Sequence, residues 1–451
     1  MELSNKKIMI FGMGVSGKGV ARLLKSQGSD MVLYDGNEEL DKDALLKELD
    51  LEGKAEVVTG SLTEESFEGI DVLALSPGIS INAPYVKMAA EKGVKILGEV
   101  EIAYEISKGR MAAITGTNGK TTTTALTGEI MKAAFEKVFV VGNIGTSFAS
   151  VATETTDDCV IVAEISSFQL ESMDEFHPEV TAVLNLTPDH LDRHGTFENY
   201  AKTKMQIAEK QTKEEKCIIN YDDEYLRELS KELTPEVLYF SRKEKLEKGI
   251  YLVGNMITYN DGEKEIPIIE KDDMILLGDH NTENVMAACG IAISMGVDIE
   301  TIANVVRNFK AVEHRIEYVC TKNGVAYYND SKGTNTDAAA KAVSSMVAPT
   351  VLIAGGYDKG ADFTEWIEGF NGKVKDMVLI GQTAEKIKET ALKCGFTNIH
   401  MCEDLKEAVT KCAQLAEPGD VVLLSPACAS WGQFKNYEQR GKMFKEFANQ
   451  L

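Results

Sequence analysis

The sequence predicts an α/β protein of three domains. Short apolar runs alternate with helical segments from one end to the other, and glycine loops sit where two of those runs pass into helices. The chain's 451 residues are also more than one hydrophobic core holds. A composition of 44% hydrophobic and 26% charged residues is that of an ordinary globular chain.

The first domain is expected over residues 1–98. "KKIMIFGMG" reads as a strand and its turn, "KGVARLLKSQG" as a helix closed by Gly28, and "DMVLYD" as a strand. "DALLKEL" follows as a helix and "IDVLALSPGIS" as a strand ending in a Ser-Pro-Gly turn. Such alternation with short loops builds a parallel, doubly wound sheet. A second α/β unit, residues 99–311, has the strands "MAAIT", "KVFVVGN", "DCVIVAEIS" and "EVTAVLNLT". Small β elements around an Asn-Asp-Gly turn follow in "LEKGIYLVGNMITYNDGEKEIPIIE", then a helix in "NTENVMAACGIAISMG". The third unit, 312–451, has the strands "GVAYYNDS", "PTVLIAGG", "DMVLIGQT" and "DVVLLSPA".

Charge and cysteine usage narrow the function. Forty-eight Lys plus Arg against 71 Asp plus Glu give a formal net charge of −23, which argues against a general nucleic-acid binder. A polyanionic ligand would need local basic groups and metal ions. The eight cysteines form no C-x-x-C pair and read as reduced, mostly buried thiols. The N-terminus runs straight into a strand without a signal-type apolar region. No apolar run approaches the roughly 20 residues that cross a bilayer. A cytoplasmic protein without membrane insertion is expected.

Two glycine loops carry the first chemistry. Gly12-x-Gly14-x-x-Gly17 follows a strand and opens a helix, and Asp35 ends the next strand. This matches the dinucleotide fingerprint, in which an acid about 20 residues on meets ribose hydroxyls, and it favours nucleotide or diphosphate binding over an empty tight turn. The second loop, "GTNGKTT", is a phosphate cradle. Gly116, Asn118 and Gly119 let backbone N–H groups point inward, Lys120 reaches terminal phosphates, and Thr121 stands where a hydroxyl ligates Mg²⁺. The strict pattern has a glycine where this chain has Ile114, so the loop is a shortened variant.

Downstream residues suit a metal–phosphate site. Glu164 lies at a strand end, where carboxylates commonly hold Mg²⁺. "NLTPDHLDRHG" offers Asp189, His190, Asp192 and His194, with Lys204 beyond. His190 and His194 have the i, i+4 spacing of zinc ligands, but no H-E-x-x-H glutamate and no third ligand at a recognisable spacing accompany them, so zinc is not expected. In the last third, His314 and Arg315, then Asp330, Lys332 and Thr334, then Lys359, then Ser430 and Tyr437, are each expected just after a strand. Three basic residues on such a rim, in so acidic a chain, point to an anionic substrate.

Together "GTNGKTTTT", "EISSFQLE", "NLTPDHLDRHG" with "YAKTK", "GDHNTENVMAA", "EHRIE", "NDSKGTN" and "SPACASWGQFKNYEQRG" resemble the Mur ligases of peptidoglycan synthesis. The resemblance runs from the first glycine loop to the last helix and is nearest to members that add D-glutamate to UDP-N-acetylmuramoyl-L-alanine. It implies a Rossmann-like N-terminal domain for the UDP-sugar, a central P-loop ATPase-like domain and a Rossmann-like C-terminal domain for the amino acid. The shortened loop is the form this family uses.

The resemblance further implies ATP-dependent amide synthesis through an acyl phosphate. Gly116, Thr117, Asn118, Gly119, Lys120, Thr121 and Thr122 would hold ATP phosphates, and Asn281 and Asn284 the adenine. Asp330 would meet ribose, and Arg315 and Lys332 phosphate or the reacting anions. Two Mg²⁺ ions are implied, with Thr121, Glu164, His190 and a CO₂-derived carbamate on Lys204 as ligands. Lys120, Glu164, His190 and Lys204 form the implied catalytic set. Gly14, Val15, Ser16, Gly17, Asp35, Ser76 and Asn143 match positions that bind the UDP-sugar, and Thr334, Lys359, Ser430 and Tyr437 positions that hold D-glutamate. Relatives often carry an acid directly after Gly356; here Tyr357 stands there and Asp358 follows. Asn37 replaces a basic residue that some relatives carry.

A monomer is expected, closing about residues 98 and 311. Another amino-acid-adding Mur ligase or a folylpolyglutamate synthase-like ligase is the alternative within this class. The lysine- or diaminopimelate-adding branch typically shows an Asp-Asn-Pro motif in its last domain, which this chain lacks. An NAD-dependent oxidoreductase would have no use for "GTNGKTT", and the density of phosphate- and carboxylate-binding residue types argues against a non-catalytic nucleotide-binding regulator.

Overall fold

The first sheet orders its strands β3-β2-β1-β4-β5, all parallel. These are β1 (Lys7–Phe11), β2 (Asp30–Asp35), β3 (Ala55–Thr59), β4 (Val72–Leu75) and β5 (Lys95–Gly98). The computed structural model describes residues 3–143, 146–310 and 312–451. Residue 311, the expected second boundary, lies outside the described residues, as do the Ile144 and Gly145 of "VGNIG" and the side chain of Asp192. The order of the first sheet reverses between β1 and β4, which opens a crevice at their carboxyl ends. The Gly12 loop and the Ser76 turn stand there.

The second sheet has the order β14-β13-β12-β11-β10-β9-β6-β8-β7. Its strands are β6 (Arg110–Thr115), β7 (Val138–Gly142), β8 (Val160–Glu164), β9 (Val180–Val183), β10 (Lys216–Asn220), β11 (Glu236–Ser241), β12 (Gly249–Val253), β13 (Met256–Asn260) and β14 (Glu265–Glu270). β6 lies between β9 and β8, all three parallel. Their carboxyl ends therefore bring the phosphate loop, Glu164 and the Asn185–His190 segment to one edge. The expected small β elements are β12 to β14, and they extend this sheet: β12 runs parallel to β11, and β13 and β14 add antiparallel edges.

The third sheet orders β15-β16-β20-β17-β18-β19, from β15 (Glu317–Lys322), β16 (Val325–Asn329), β17 (Thr350–Ala354), β18 (Val374–Leu379), β19 (Ile399–Met401) and β20 (Val421–Leu424). Only β15 is antiparallel among the described strands of this sheet, so its first residue pairs with the last of β16, Glu317 with Asn329. That reversal brings Arg315 to the rim formed by the carboxyl ends of β16, β20 and β17.

The chain packs as two compact units, Met1–Lys271 with Glu283–Val306, and Asp272–Thr282 with Arg307–Leu451. The first unit contains the first two sheets, and one apolar cluster has residues from both. Val20 and Leu24 of helix Val15–Ser26, Val100 and Ala103 of helix Glu99–Ile106, and Phe148 and Ala149 all belong to that cluster. β5 passes directly into helix Glu99–Ile106 at Gly98, where a Cβ would come within 2.4 Å of the Ser172 hydroxyl. A hinge at residue 98 would have to open this shared core. The second unit buries both faces of the third sheet, one under Leu352, Trp366 and Ile387 and the other under Val409, Cys412 and Phe444.

Candidate functional site

The phosphate loop joins β6 to helix Lys120–Ala134, and its shape is set by two glycines. Gly119 has φ +85°, and a Cβ there would lie 2.1 Å from Asn284 Oδ1. Gly116 has φ +148°, and a Cβ there would lie 3.0 Å from Leu184 Cβ. Asn185, just past β9, braces the loop: its carbonyl accepts from Thr117 N at 2.9 Å, its Oδ1 accepts from Asn118 N at 2.8 Å, and its Nδ2 donates to Asn118 O at 3.0 Å. The amides of Thr117 and Asn118 are thus spent on Asn185. The inward-pointing donors expected at Asn118 move to the first turn of the helix, whose N–H groups and dipole favour an anion. Thr121 and Thr122 are buried in that turn.

Two lysines meet on one carbonyl oxygen. Lys120 Nζ folds back to Gly116 O at 2.8 Å and Thr117 O at 3.0 Å. Lys204 Nζ donates to the same Gly116 O at 2.9 Å and reaches Thr115 Oγ1 at 3.4 Å. Lys204 is 1% exposed and lies over the Tyr200 ring, 4.9 Å from its centroid. Burial holds its amine well below the usual lysine range, the positive charge of Lys120 pushes it further down, and Asp189 and Glu164 oppose both. Tyr200 in turn bonds Thr117 Oγ1 at 3.0 Å.

Glu164, the last residue of β8, is 1% exposed. Asn143 Nδ2 donates to its Oε1 at 2.9 Å, whereas Oε2 is buried with no hydrogen-bond partner among the described residues. Leaving such an oxygen unsatisfied costs on the order of 1–3 kcal/mol, and a cation would satisfy it. Among the described residues no group of three or more His, Cys, Asp or Glu forms a metal cage. One carboxylate and one hydroxyl are a donor set that suits Mg²⁺, which seldom takes an all-protein cage.

The two histidines separate. His190 has φ +50° and its side chain is 49% exposed, near Asp189 Oδ2 at 3.6 Å. His194 is buried, with Nε2 3.1 Å from Ser167 Oγ and Nδ1 3.4 Å from Glu171 Oε1, and burial lowers its pKa. His194 is therefore committed to the interior and leaves no zinc pair. Both rings pack on Phe168, at 4.7 and 5.8 Å between centroids.

In the first sheet, Gly17 packs so closely that a Cβ would come within 1.8 Å of Gly12 O, as the fingerprint's third glycine requires. Asp35 spends its carboxylate on the loop itself, accepting from Met13 N at 2.8 Å and Asn37 N at 3.0 Å. Its bracing role is thus explicit, beside any ribose contact. Ser76 Oγ donates to Gly12 O at 3.3 Å. Gly14 and exposed Val15 open helix Val15–Ser26, and Ser16 lies in its first turn.

In the second unit the expected residues collect at the carboxyl ends of β16, β20 and β17. Asp330 is buried, accepts from Ser425 Oγ at 2.7 Å, and is pushed up to about 6 by burial, with Arg315 and that hydroxyl opposing. Lys332 lies over Tyr437 at 5.7 Å, and Lys359 over Trp431 at 4.8 Å. Ser430 is buried after β20, and Thr334 is half-buried after β16. Asp358 accepts from Gly360 N at 2.7 Å and pairs with Lys386 at 3.2 Å, so it shapes its own turn. Fully buried Arg440 ties the rim together, donating to Ser331 Oγ at 3.0 Å, Ser331 O at 2.8 Å and Cys428 O at 3.2 Å. Asn281 belongs to this unit and donates to Leu277 O at 2.7 Å, while Asn284 belongs to the first, at Gly119.

Sequence reasoning missed Asn185, Tyr200 and Arg440 as bracing residues. Asn185 had one available signal: it is the polar residue that ends the apolar run of β9, at the edge where ligands bind.

The MurD-like N-terminal domain of Mur ligases matches residues 6–98, the Mur ligase middle domain residues 114–292, and the glutamate ligase domain of Mur ligases residues 314–428. The chain is 51% identical to a UDP-N-acetylmuramoylalanine–D-glutamate ligase of Lachnospira eligens over 451 residues, covering 100% of both chains. It is 48% identical to a protein of the same name from Caldanaerobacter subterraneus, covering 99% of this chain and 98% of that one. Its fold is similar to UDP-N-acetylmuramate-alanine ligase MurC of Thermotoga maritima, with TM-score 0.62, 18% identity and coverage of 99% and 100%. It is also similar to MurF ligase of the same organism in complex with ADP, with TM-score 0.60, 16% identity and coverage of 100% and 99%.

Proposed function

This chain belongs to the Mur ligase family, and we propose that it is an ATP-dependent ligase that adds D-glutamate to UDP-N-acetylmuramoyl-L-alanine, releasing ADP and phosphate in peptidoglycan precursor synthesis. The observation that carries the chemistry is the meeting of Lys120 and buried Lys204 on the Gly116 carbonyl, with Glu164 near enough to act on the charge of Lys204.

A carboxylate does not acylate an amine at neutral pH, because oxide would have to leave. Transfer of the γ-phosphoryl group of ATP to the L-alanyl carboxylate makes an acyl phosphate and ADP. The amine of D-glutamate then attacks the carbonyl carbon, and phosphate leaves the tetrahedral intermediate. Two anions meet in the first step, so fixed positive charge must offset their repulsion. Lys120, tethered by two carbonyls of its own loop, supplies it at the β and γ phosphates, alongside the first-turn amides. Thr121 and Glu164 would hold one Mg²⁺, and His190 with a carbamate on Lys204 a second; such ions would add positive charge there. Asn143 orients Glu164 through its amide.

Carbamylation needs a neutral amine: the nitrogen lone pair bonds the carbon of CO₂, and a proton leaves. The depressed pKa of Lys204 provides that form. The product is an oxygen donor of reversed charge, and it would relieve the repulsion from Lys120. Asn281 and Asn284 face adenine, Asp330 ribose, and Arg315 and Lys332 the transferring anions. Thr334, Lys359, Ser430 and Tyr437 hold the carboxylates of D-glutamate. The sugar nucleotide occupies the crevice of Gly14–Gly17, Asp35 and Ser76, with Asn143 beside it. The domains follow residues 1–98, 99–311 and 312–451, and the protein acts as a cytoplasmic monomer. No described helix is long and apolar enough to cross a membrane.

Phosphate release from ATP, Mg²⁺ and UDP-N-acetylmuramoyl-L-alanine tests this reading with the amino acid varied. Release is expected with D-glutamate and at background level with L-lysine, L-alanine or L-glutamate. Turnover with L-lysine alone, or none with D-glutamate, contradicts it.

A further inference from the structure

Arg193 stands in the short helix Leu191–His194, directly after His190, yet its guanidinium serves the other domain of the first unit. Nη1 donates to Pro77 O at 2.8 Å and Nη2 to Ile79 O at 3.1 Å, the two carbonyls that flank Gly78. Nε and Nη2 also donate to Glu171 Oε2, at 2.9 and 2.6 Å. The side chains of Arg193 and Glu171 are 11% and 7% exposed, and the guanidinium lies 4.0 Å from the centroid of the Phe168 ring. That ring also packs against His190.

We propose that Arg193 is a positioning residue, which holds the Ser76–Ile79 turn of the sugar-nucleotide crevice in register with the His190 loop. The inference rests on the proposed function, since it takes the turn as part of the substrate site. Three features carry it. The turn is anchored at its start by Ser76 on the Gly12 carbonyl and at its far side by Arg193, so its placement depends on both. The anchor is a fork with two separated acceptors, a geometry that a lysine ammonium cannot reproduce. Phe168 and Glu171 fix that fork from the central sheet's side, so the sugar crevice is built against the same Phe168 ring on which His190 packs. A turn displaced from this register still belongs to a folded protein, but it presents Ser76 and its backbone wrongly to the sugar nucleotide.

Full-length wild type, Arg193→Lys and Arg193→Ala are compared in KM for UDP-N-acetylmuramoyl-L-alanine, KM for ATP and kcat. Calorimetric affinity for the sugar nucleotide and thermal unfolding are measured alongside. With both carbonyl anchors of the turn lost, KM and Kd for the sugar nucleotide are expected to rise about tenfold or more in both variants. KM for ATP is expected to stay within about twofold, since the phosphate loop is braced by Asn185 and not by Arg193. An unchanged sugar-nucleotide affinity overturns the proposal, as does an equal rise of both KM values. If Arg193→Ala does not fold, Arg193→Lys, which keeps the charge over Phe168, decides; failure of that variant to fold also overturns it by assigning Arg193 to stability alone. Wild type that binds the sugar nucleotide without ligating would refute the proposed activity and leave the positioning role readable by calorimetry. Wild type that does not bind it refutes both.

Discussion

Replacing Lys204 with methionine is expected to lower amide synthesis about 10³-fold or more, to leave the fold intact and, in CO₂-free buffer, to raise stability near neutral pH. Lys204 is a buried amine whose charged form is disfavoured first by desolvation and then by Lys120. Its folded pKa therefore lies below the unfolded value of about 10.4. The unfolded chain takes up a proton that the folded chain resists, so this residue makes stability rise with pH across that window. Its cost is full below the folded pKa and vanishes as pH approaches the unfolded value. Methionine, of similar length and without charge, removes the cost, so the gain in melting temperature should be largest at low pH and close toward about pH 10. Thermal unfolding of both proteins across that range checks the slope. Wild-type activity should also fall reversibly on removal of CO₂ and return with bicarbonate, whereas the variant should not respond. A fully active methionine variant would remove Lys204 from the chemistry.

Lys120→Ala should cost a comparable factor, about 10³-fold or more, for two separable reasons. The first is the loss of the tethered cation at the β and γ phosphates. The second follows from the carbonyl shared with Lys204: without Lys120 a repulsive charge disappears, the Lys204 amine regains part of its proton affinity, and less of it is neutral. Burial remains the larger cause, so carbamate formation should fall without disappearing. Carbon-13 NMR with labelled bicarbonate reads that fraction directly, and phosphate release reads the rate. Near-normal turnover in Lys120→Ala would refute the phosphate role, and an undiminished carbamate signal would refute the coupling between the two lysines.

Most interior strands were legible because they are continuous apolar runs buried on both faces, as in "VLAL" of β4, "VIVAE" of β8 and "TVLIA" of β17, whereas the interior strands β10 and β11, set among charged segments, were missed. Several edge strands were not, although β7, "VFVVG", was. β3, "AEVVT", is mostly half-exposed, and β19 has three residues, so neither carries a pattern distinct from a loop. β15 also escaped notice, since its alternation is weak and a bulge near Tyr318 interrupts it. The phosphate loop, Glu164 and Lys204 could be singled out because each follows a legible strand or belongs to a motif. Their bracing partners could not, because Asn118 meets Asn185 across 67 positions and Pro77 meets Arg193 across 116. The spent amides of Thr117 and Asn118 were hidden for the same reason. Local spacing reports which residues share a turn; it is silent on which distant side chain has already taken their hydrogen bonds.

The central claim is that ATP phosphorylates the L-alanyl carboxylate before the amine arrives. Substrate labelled with oxygen-18 in that carboxyl group, incubated with ATP, Mg²⁺ and D-glutamate, tests it through mass spectrometry of the released phosphate. One labelled oxygen per phosphate formed from fully labelled substrate is the predicted result, and phosphate free of the label alongside normal amide formation would contradict it.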